Sequence, residues 1–567
     1  MSAYDLASLK LPVLSGAALR AFAATLDTRV GRSALTGSLL ASGGITRLRE
    51  LEIDTAPLFI PHPPPDEKDG RAKPSRGSKG PSKRDLGRCA QPSRRAAPFA
   101  SAGDYATAYA SGSTSPLDVA ERLLDALGED SRSGKPLNPF IAVDPDDVRR
   151  QARESADRHR RGAPLGPLDG VPVAIKDEVD MVPYPTTVGT SFLGSTPAAR
   201  DATAVARLRA AGALLLGKAN MHEIGINPTG HNVHHGHTRN PYQPDHDTGG
   251  SSSGPATAVA AGLAPVALGA DGGGSIRVPA AHCGLVGLKP TFGRVSATGA
   301  APVAWSVGHL GPIGATVADV ALAYALMAGP DPGDPHSLAH PPVSIDGWNR
   351  DRLEGVTLGV FRPWFEHAEA EVVDRCDAAV RSLVEAGAEL REIELPGLDA
   401  LRAAHAVTIL SEMATFAARH PARRGEFAPA TRISLALARS FTATDYLQAQ
   451  RVRRQAMQTF LRAYDAVDVI LTPSSAVPAP RIPEDGLPAG ISDLGTVTEI
   501  MRYAIPGNML GFPAISVPAG LTSAGLPVGL QAMAAHWRED LLLGVANVVE
   551  AAVERPAPRV TWDLLRA

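Results

Sequence analysis

The stretch "TGGSSSGPATAVAAGLAPVALGADGGGSIRVPAAHCG", Thr248 to Gly284, sets two glycine–serine clusters on either side of an apolar segment. The first cluster is Gly249-Gly250-Ser251, and the second is Gly272-Gly273-Gly274-Ser275. A flexible linker would be polar throughout. The intervening "PATAVAAGLAPVALG" instead reads as an Ala-rich helix followed by a strand. That places both clusters at the edge of a packed layer.

Three other readings fail on local grounds. A phosphate cradle needs the Gly-Lys-Ser/Thr ending that carries a lysine to the phosphates, and "GADGGGSIR" lacks it. Gly250 to Gly254 spells Gly-x-Ser-x-Gly around Ser252, but a nucleophile elbow needs a strand directly before it. Here the loop "NPYQPDHDTGG" precedes. The histidines of "GHNVHHGHTRN" (His231, His234, His235, His237) invite a metal, yet they have neither the helical HExxH order nor a carboxylate at ligand spacing. No metal site is expected.

The whole chain has globular composition, with ample material for a large core. It has 567 residues, 44% hydrophobic and 20% charged, with a net charge of -3. Such a balance gives no overall basic surface for nucleic acid. The cysteines Cys89, Cys283 and Cys376 are too scattered for a disulfide framework or zinc site, which favours a reducing, cytoplasmic setting. The N-terminus lacks the basic and apolar regions of a signal peptide, and no run of about 18 apolar residues suggests a membrane span.

Residues 1–60 read as a helical arm, a candidate for homodimer contact, for peripheral contact with a membrane surface, or for packing on its own domain. Residues 61–98 are rich in Pro, Gly, Lys and Arg and read as an exposed or disordered linker. Beyond them, "SPLDVAERLLDALGED" has a capping Ser115 and an early Pro116. "GVPVAIKDEV" is a buried strand leaving the sheet. Helix and strand then alternate, as in "DATAVARLRAAGALLLGKAN" and "EVVDRCDAAVRSLVEAGAELREIEL". This predicts an α/β layered fold with a parallel or mixed sheet over residues 99–567.

The long run from Gly249 to Ser296 resembles the signature of the amidase signature family. "LDGVPVAIKDEVD" matches that family's lysine motif, with the lysine at Lys176. Several further runs, among them "LLLGKANMHEIGINPTGHN" and "VDVILTPSSAVPAPRIPEDGLPAG", look most like the plant-type fatty acid amide hydrolases. The resemblance covers roughly residues 100–567. It implies a large central mixed sheet with helices on both faces, no cofactor, and a Ser-Ser-Lys triad. In that triad Ser275 is the nucleophile, Ser251 the bridge after a cis Gly250-Ser251 peptide, and Lys176 the base. Pro255 departs from the family pattern, at a place where the first helical turn tolerates proline.

The chemistry needs such residues. An amide requires an activated nucleophile, an oxyanion site and an acid for its leaving nitrogen. A free lysine is almost wholly protonated at neutral pH, but burial disfavours the cation. The apolar "PVAIK" therefore suggests a neutral Lys176. Asp177 could oppose this, but strand alternation should turn it away. Gly272, Gly273, Gly274 and Ser275 can aim backbone N–H groups at one oxyanion because no side chain blocks the approach. Gly250, Ser252, Asp271 and Arg277 are expected to support the loops.

Substrate residues are read less directly. Met221, Thr229 and Gly230 lie where relatives line the pocket. Met501, Ile505 and Met509 have helical spacing and could wall an apolar channel. Each taken alone reads as ordinary core, but together with the resemblance to plant-type fatty acid amide hydrolases they imply lipophilic amides such as N-acylethanolamines. The alternatives are a small-amide or aryl-amide hydrolase, an amidotransferase subunit serving mischarged tRNA, and a catalytically silent scaffold.

Overall fold

The computed structural model describes residues 4–9, 12–62, 80–92 and 98–566. Its strands, in chain order, are β1 (Leu14–Ser15), β2 (Phe140–Ala142), β3 (Pro172–Lys176), β4 (Leu214–Ala219), β5 (Val266–Asp271), β6 (Val286–Lys289), β7 (His309–Gly314), β8 (Thr357–Val360), β9 (Glu389–Glu392), β10 (Val469–Pro473), β11 (Ile491–Ser492), β12 (Ala514–Leu521) and β13 (Pro527–Ala534). Eleven of them form one sheet in the order β2-β4-β3-β5-β7-β6-β12-β13-β10-β8-β9. It is mixed: β3 runs parallel to β4 and β5, whereas β7, β6, β12 and β13 pair antiparallel with their neighbours.

Side-chain alternation shows why both faces are covered. Val173 and Ile175 of β3, with Val266, Leu268 and Ala270 of β5, belong to the largest apolar core. Their alternates Ala174 and Ala267 belong to a second core, shared with the helix Ser253–Ala260. Adjacent strand residues point to opposite faces, so two separate cores mean two covered faces. The Ala-rich segment between the glycine clusters is that helix followed by β5, as its composition predicts. The signalled helix is Pro116–Ser131, with Pro116 in its first turn and a capping box joining Ser115 and Asp118.

The arm packs on the body of its own chain. Its helix Gly16–Asp27 buries Leu19, Ala23 and Leu26 against Ala430, Ile433 and Ala436, and β1 pairs with β11. The linker expectation needs correction in part. Residues 63–79 and 93–97 lie outside the described residues, but Lys83–Cys89 is a helix with its own capping box. Cys89 sits in the main core, so this turn of the segment has an apolar anchor that composition averaging hid. The expected Met501–Met509 helix is also interrupted. It consists of two short helices, Leu494–Met501 and Ile505–Met509. Among the described residues no helix is long and apolar enough to cross a membrane.

Candidate active site

The two glycine–serine clusters meet beside the end of β3. Lys176, the last residue of that strand, has the parity of Ala174 and so faces the helix Ser253–Ala260. Its Nζ donates to Ser251 Oγ at 2.9 Å and to the Ala270 carbonyl at 3.1 Å. The Gly250-Ser251 peptide is cis. A Cβ on Gly250 would lie 2.2 Å from the Thr229 carbonyl oxygen, so only glycine fits there. Ser251 is also tied by its carbonyl, which accepts from the His222 N–H at 3.2 Å. Ser252 turns away from the cavity and exchanges hydrogen bonds with the Ala270 backbone.

Ser275 follows β5 and lines the same cavity as Lys176 and Ser251. No hydrogen bond joins the Ser251 and Ser275 hydroxyls among the described residues. The cluster around Ser275 is held from behind. Asp271 accepts from the N–H groups of Gly274 and Ile276 at 2.6 and 3.0 Å, and from Arg277 at 3.1 Å. Asn508 donates to both the Asp271 carbonyl and its carboxylate. Arg277 reaches Gln531 at 2.7 Å. Burial alone would raise the Asp271 carboxyl, but the Arg277 charge and hydrogen bonds hold it well below the usual carboxylate range. His405, which no sequence pattern marked, donates from Nε2 to the Gly272 carbonyl at 2.8 Å. Burial lowers its imidazole to about 4.

This arrangement corrects the oxyanion expectation at one position. The Gly274 N–H is spent on Asp271 and is not free for substrate. The N–H groups of Gly272, Gly273 and Ser275 make no hydrogen bond among the described residues, so three candidate donors remain. Gly274 is glycine for its backbone, with φ of +119°, and a Cβ there would lie only 2.8 Å from Ala504 Cβ.

The lysine's surroundings also differ from the expectation. Val173 and Ile175 face the other side of the sheet, and the Lys176 Nζ is ringed by oxygens. Asp177 does turn away, accepting from Thr187 and from the Gly189 N–H and lying 3.4 Å from Lys218. The next residue does not. Glu178 Oε2 lies 2.7 Å from Lys176 Nζ. A turn closed by the Val179 N–H on the Lys176 carbonyl, at 3.1 Å, folds Glu178 back onto the strand end. Strand alternation does not carry it there, since β3 ends at Lys176 and Asp177 and Glu178 lie in the turn beyond it.

The expected substrate residues are not on the cavity wall. Met221 is fully buried in an apolar cluster with Ile224, while Thr229 bonds His222 at 3.0 Å and the Gly230 N–H bonds Asp247. Met501 sits behind Gly273, where its Cε would lie 2.6 Å from an added Cβ, and Ile505 lies in a separate core. The wall is formed instead by Ile224, Ala301, Val303, Ala304, Trp305 and Met413. Loop residues between β6 and β7 supply most of it, and no periodic pattern marks them. The histidines of the 231–237 loop have separate partners: His231 meets Asp247 at 3.0 Å, His234 meets Glu223 at 2.6 Å, and His235 meets the Thr190 carbonyl. Among the described residues no group of three His, Cys, Asp or Glu comes together as metal ligands.

An α/β enzyme that cleaves amide bonds is the class this fold and site define. The chain belongs to the Amidase family, whose pattern matches residues 123–543. It is 38% identical to a fatty acid amide hydrolase of Oryza sativa subsp. indica, covering 100% of this chain and 97% of that protein. It is 34% identical to a glutamyl-tRNA(Gln) amidotransferase subunit of Akkermansia muciniphila, over 76% of this chain and 94% of that one. The solved peptide amidase bound to chymostatin superposes with a TM-score of 0.71 at 28% identity, covering 81% of this chain and 98% of that one.

Proposed function

We propose that the protein hydrolyses lipophilic linear amides, with N-acylethanolamines as the leading class, through an acyl-enzyme on Ser275. The observation that carries this reading is one cavity in which Lys176, Ser251 and Ser275 meet walls of Ile224, Val303, Leu310 and Met413. Similarity to the rice hydrolase, running through the N-terminal arm, supports the same substrate class. The cavity measures about 170 Å³. A cavity of roughly 150 Å³ holds a benzene-sized group. The enclosed part therefore takes the reacting carbonyl and the first carbons of an acyl chain. The apolar cluster of Ile224, Val303 and Met413 continues to the partly buried Phe192, Ile226 and Leu410, which offer a surface for the rest of the chain.

In this mechanism Ser275 attacks the carbonyl carbon as its proton passes to Ser251 and from Ser251 to Lys176. The oxyanion meets the free N–H groups of Gly272, Gly273 and Ser275, each worth about 3 kcal/mol. The proton returns through Ser251 to the leaving nitrogen, and the C–N bond breaks. Water then repeats the sequence on the ester. The Ser251–Ser275 hydrogen bond forms only when substrate closes the site, in keeping with the loose catalytic contacts common in empty sites.

A second reading, an amidase for small or aryl amides, is favoured by the size of the enclosed cavity alone. Rates against acyl amides of increasing chain length separate the two. The lipophilic reading expects kcat/KM to rise with chain length, and a maximum at acetyl or benzoyl amides would overturn it.

A further inference from the structure

The mechanism above uses Lys176 but leaves Glu178 unexplained. Its carboxylate lies in the cavity wall, 15% exposed, against a lysine that is 1% exposed. Among the described residues the Glu178 side chain meets no partner other than Lys176. The Lys176 ammonium has three oxygen neighbours, namely Ser251, the Ala270 carbonyl and Glu178. Of these only Glu178 can accept a proton outright. Its backbone is fixed by the turn at Val179 and by its carbonyl, which accepts from the Ala301 N–H at 2.9 Å.

We propose that Glu178 is a positioning residue that stores the Lys176 proton, so that the lysine becomes a base without releasing that proton to solvent. The inference rests on the Ser275–Ser251–Lys176 reading. In the step, an N–H bond of the Lys176 ammonium breaks and an O–H bond forms on Glu178. The zwitterionic pair becomes a neutral pair, and the total charge of the site does not change. Lys176 then takes the Ser251 proton during attack and gives it back through Ser251 to the leaving nitrogen. Glu178 keeps its proton through both half-reactions. A buried site favours such an internal transfer, because losing the proton to water would leave an unpaired buried carboxylate.

The other ionisable groups near the site are already committed. Asp177 is turned toward Thr187 and Lys218. Asp271 is clamped by Arg277. His222, bonded to Thr229, is lowered to about 3 by burial and by neighbouring His231. On the far wall His309 donates to the Val307 carbonyl and His336 meets His62 at 3.1 Å. Each of these groups is held by partners other than Lys176.

The test is kcat/KM against pH for the full chain and for Glu178→Gln, with fluorophosphonate labelling of Ser275 measured in parallel. Proton storage predicts a wild-type profile that is flat through neutrality. In Glu178→Gln the acidic limb moves to higher pH, activity at pH 7 falls on the order of 10²-fold, and alkaline pH restores it. Glu178→Asp, which keeps a carboxylate, restores most of the neutral activity. An unmoved limb means a structural role and overturns the proposal. So does a limb that moves to lower pH, which would mean that Glu178 only holds the ammonium. If Glu178→Gln does not fold, a wild-type rate rising steadily from pH 7 to 9 overturns the proposal without it. Absence of labelling in the wild type overturns the triad reading instead, whatever the pH profile shows.

Discussion

Two buried acid–base pairs flank the same glycine loop, and they are built differently. Asp271 and Arg277 are both fully buried, and their polar atoms are shared among Gly274, Ile276, Ala504, Asn508 and Gln531. Glu178 and Lys176 are closer, at 2.7 Å, but both line the cavity, and the Glu178 carboxylate has no second partner among the described residues. A saturated pair fixes geometry because each alternative position loses several hydrogen bonds at once. A sparsely partnered pair at a cavity can exchange protons with what enters. The first pair holds the loop in shape, and the second is the pair that the proposed mechanism uses.

The largest expected effect comes from Ser275, the proposed nucleophile beside both pairs. Ser275→Ala should lower kcat by about 10⁶-fold and abolish fluorophosphonate labelling. Retained turnover would remove Ser275 from the mechanism. Lys176→Ala should cost on the order of 10³–10⁴-fold, with partial recovery at high pH where hydroxide takes the proton. A loss that no pH relieves would mean that the lysine only organises the site.

The saturated pair is tested through stability. Asp271→Asn leaves Arg277 buried without a counter-charge and should cost about 3–5 kcal/mol in denaturant unfolding. Because the Asp271 carboxyl is depressed in the native state, its contribution is present above the unfolded value near pH ~4. It is lost as pH falls through the native value. If Asp271→Asn removed activity but left stability unchanged, the brace would have to be reread as a catalytic group.

A smaller effect is expected at the histidines. Burial lowers His222 to about 3, and His405 and His536 to about 4. Each is neutral in the folded protein and takes a proton on unfolding once pH falls below the unfolded value of ~6.5. The expected slope is about 1.4 kcal/mol per histidine per pH unit between that value and the native one. Removing the His405 imidazole should flatten the decline by one such share. An unchanged slope would mean that His405 is protonated in the folded state.

How much could be read without the structure is visible residue by residue. Lys176, Ser251 and Ser275 were legible because a long motif spaces them, and the helix and strand between the two clusters were legible from composition. Glu178 was not legible, because a turn beyond the end of β3, and not strand alternation, brings it back to Lys176. The cavity wall was not legible. Ala301, Val303, Ala304 and Trp305 sit in an irregular loop, and nothing periodic separates a wall residue from a core one. Met221 and Met501 show the converse, since apolar residues near the site in sequence proved to be packing behind it.

The sequence by itself determined the α/β class, the family and the residue types that meet at the site. The class follows from local periodicity, and the family and residue types from the resemblance of the Gly249–Ser296 run and the Lys176 motif to a known family. Tertiary structure alone decided which charges face each other. The Asp271–Arg277 pairing was expected from their spacing, but Arg277 also meets Asn508 and Gln531 from far along the chain, Glu178 turns back onto Lys176, and His405 reaches Gly272 across the core. Electrostatic pairing depends on distance and burial in three dimensions, which no spacing along one strand encodes.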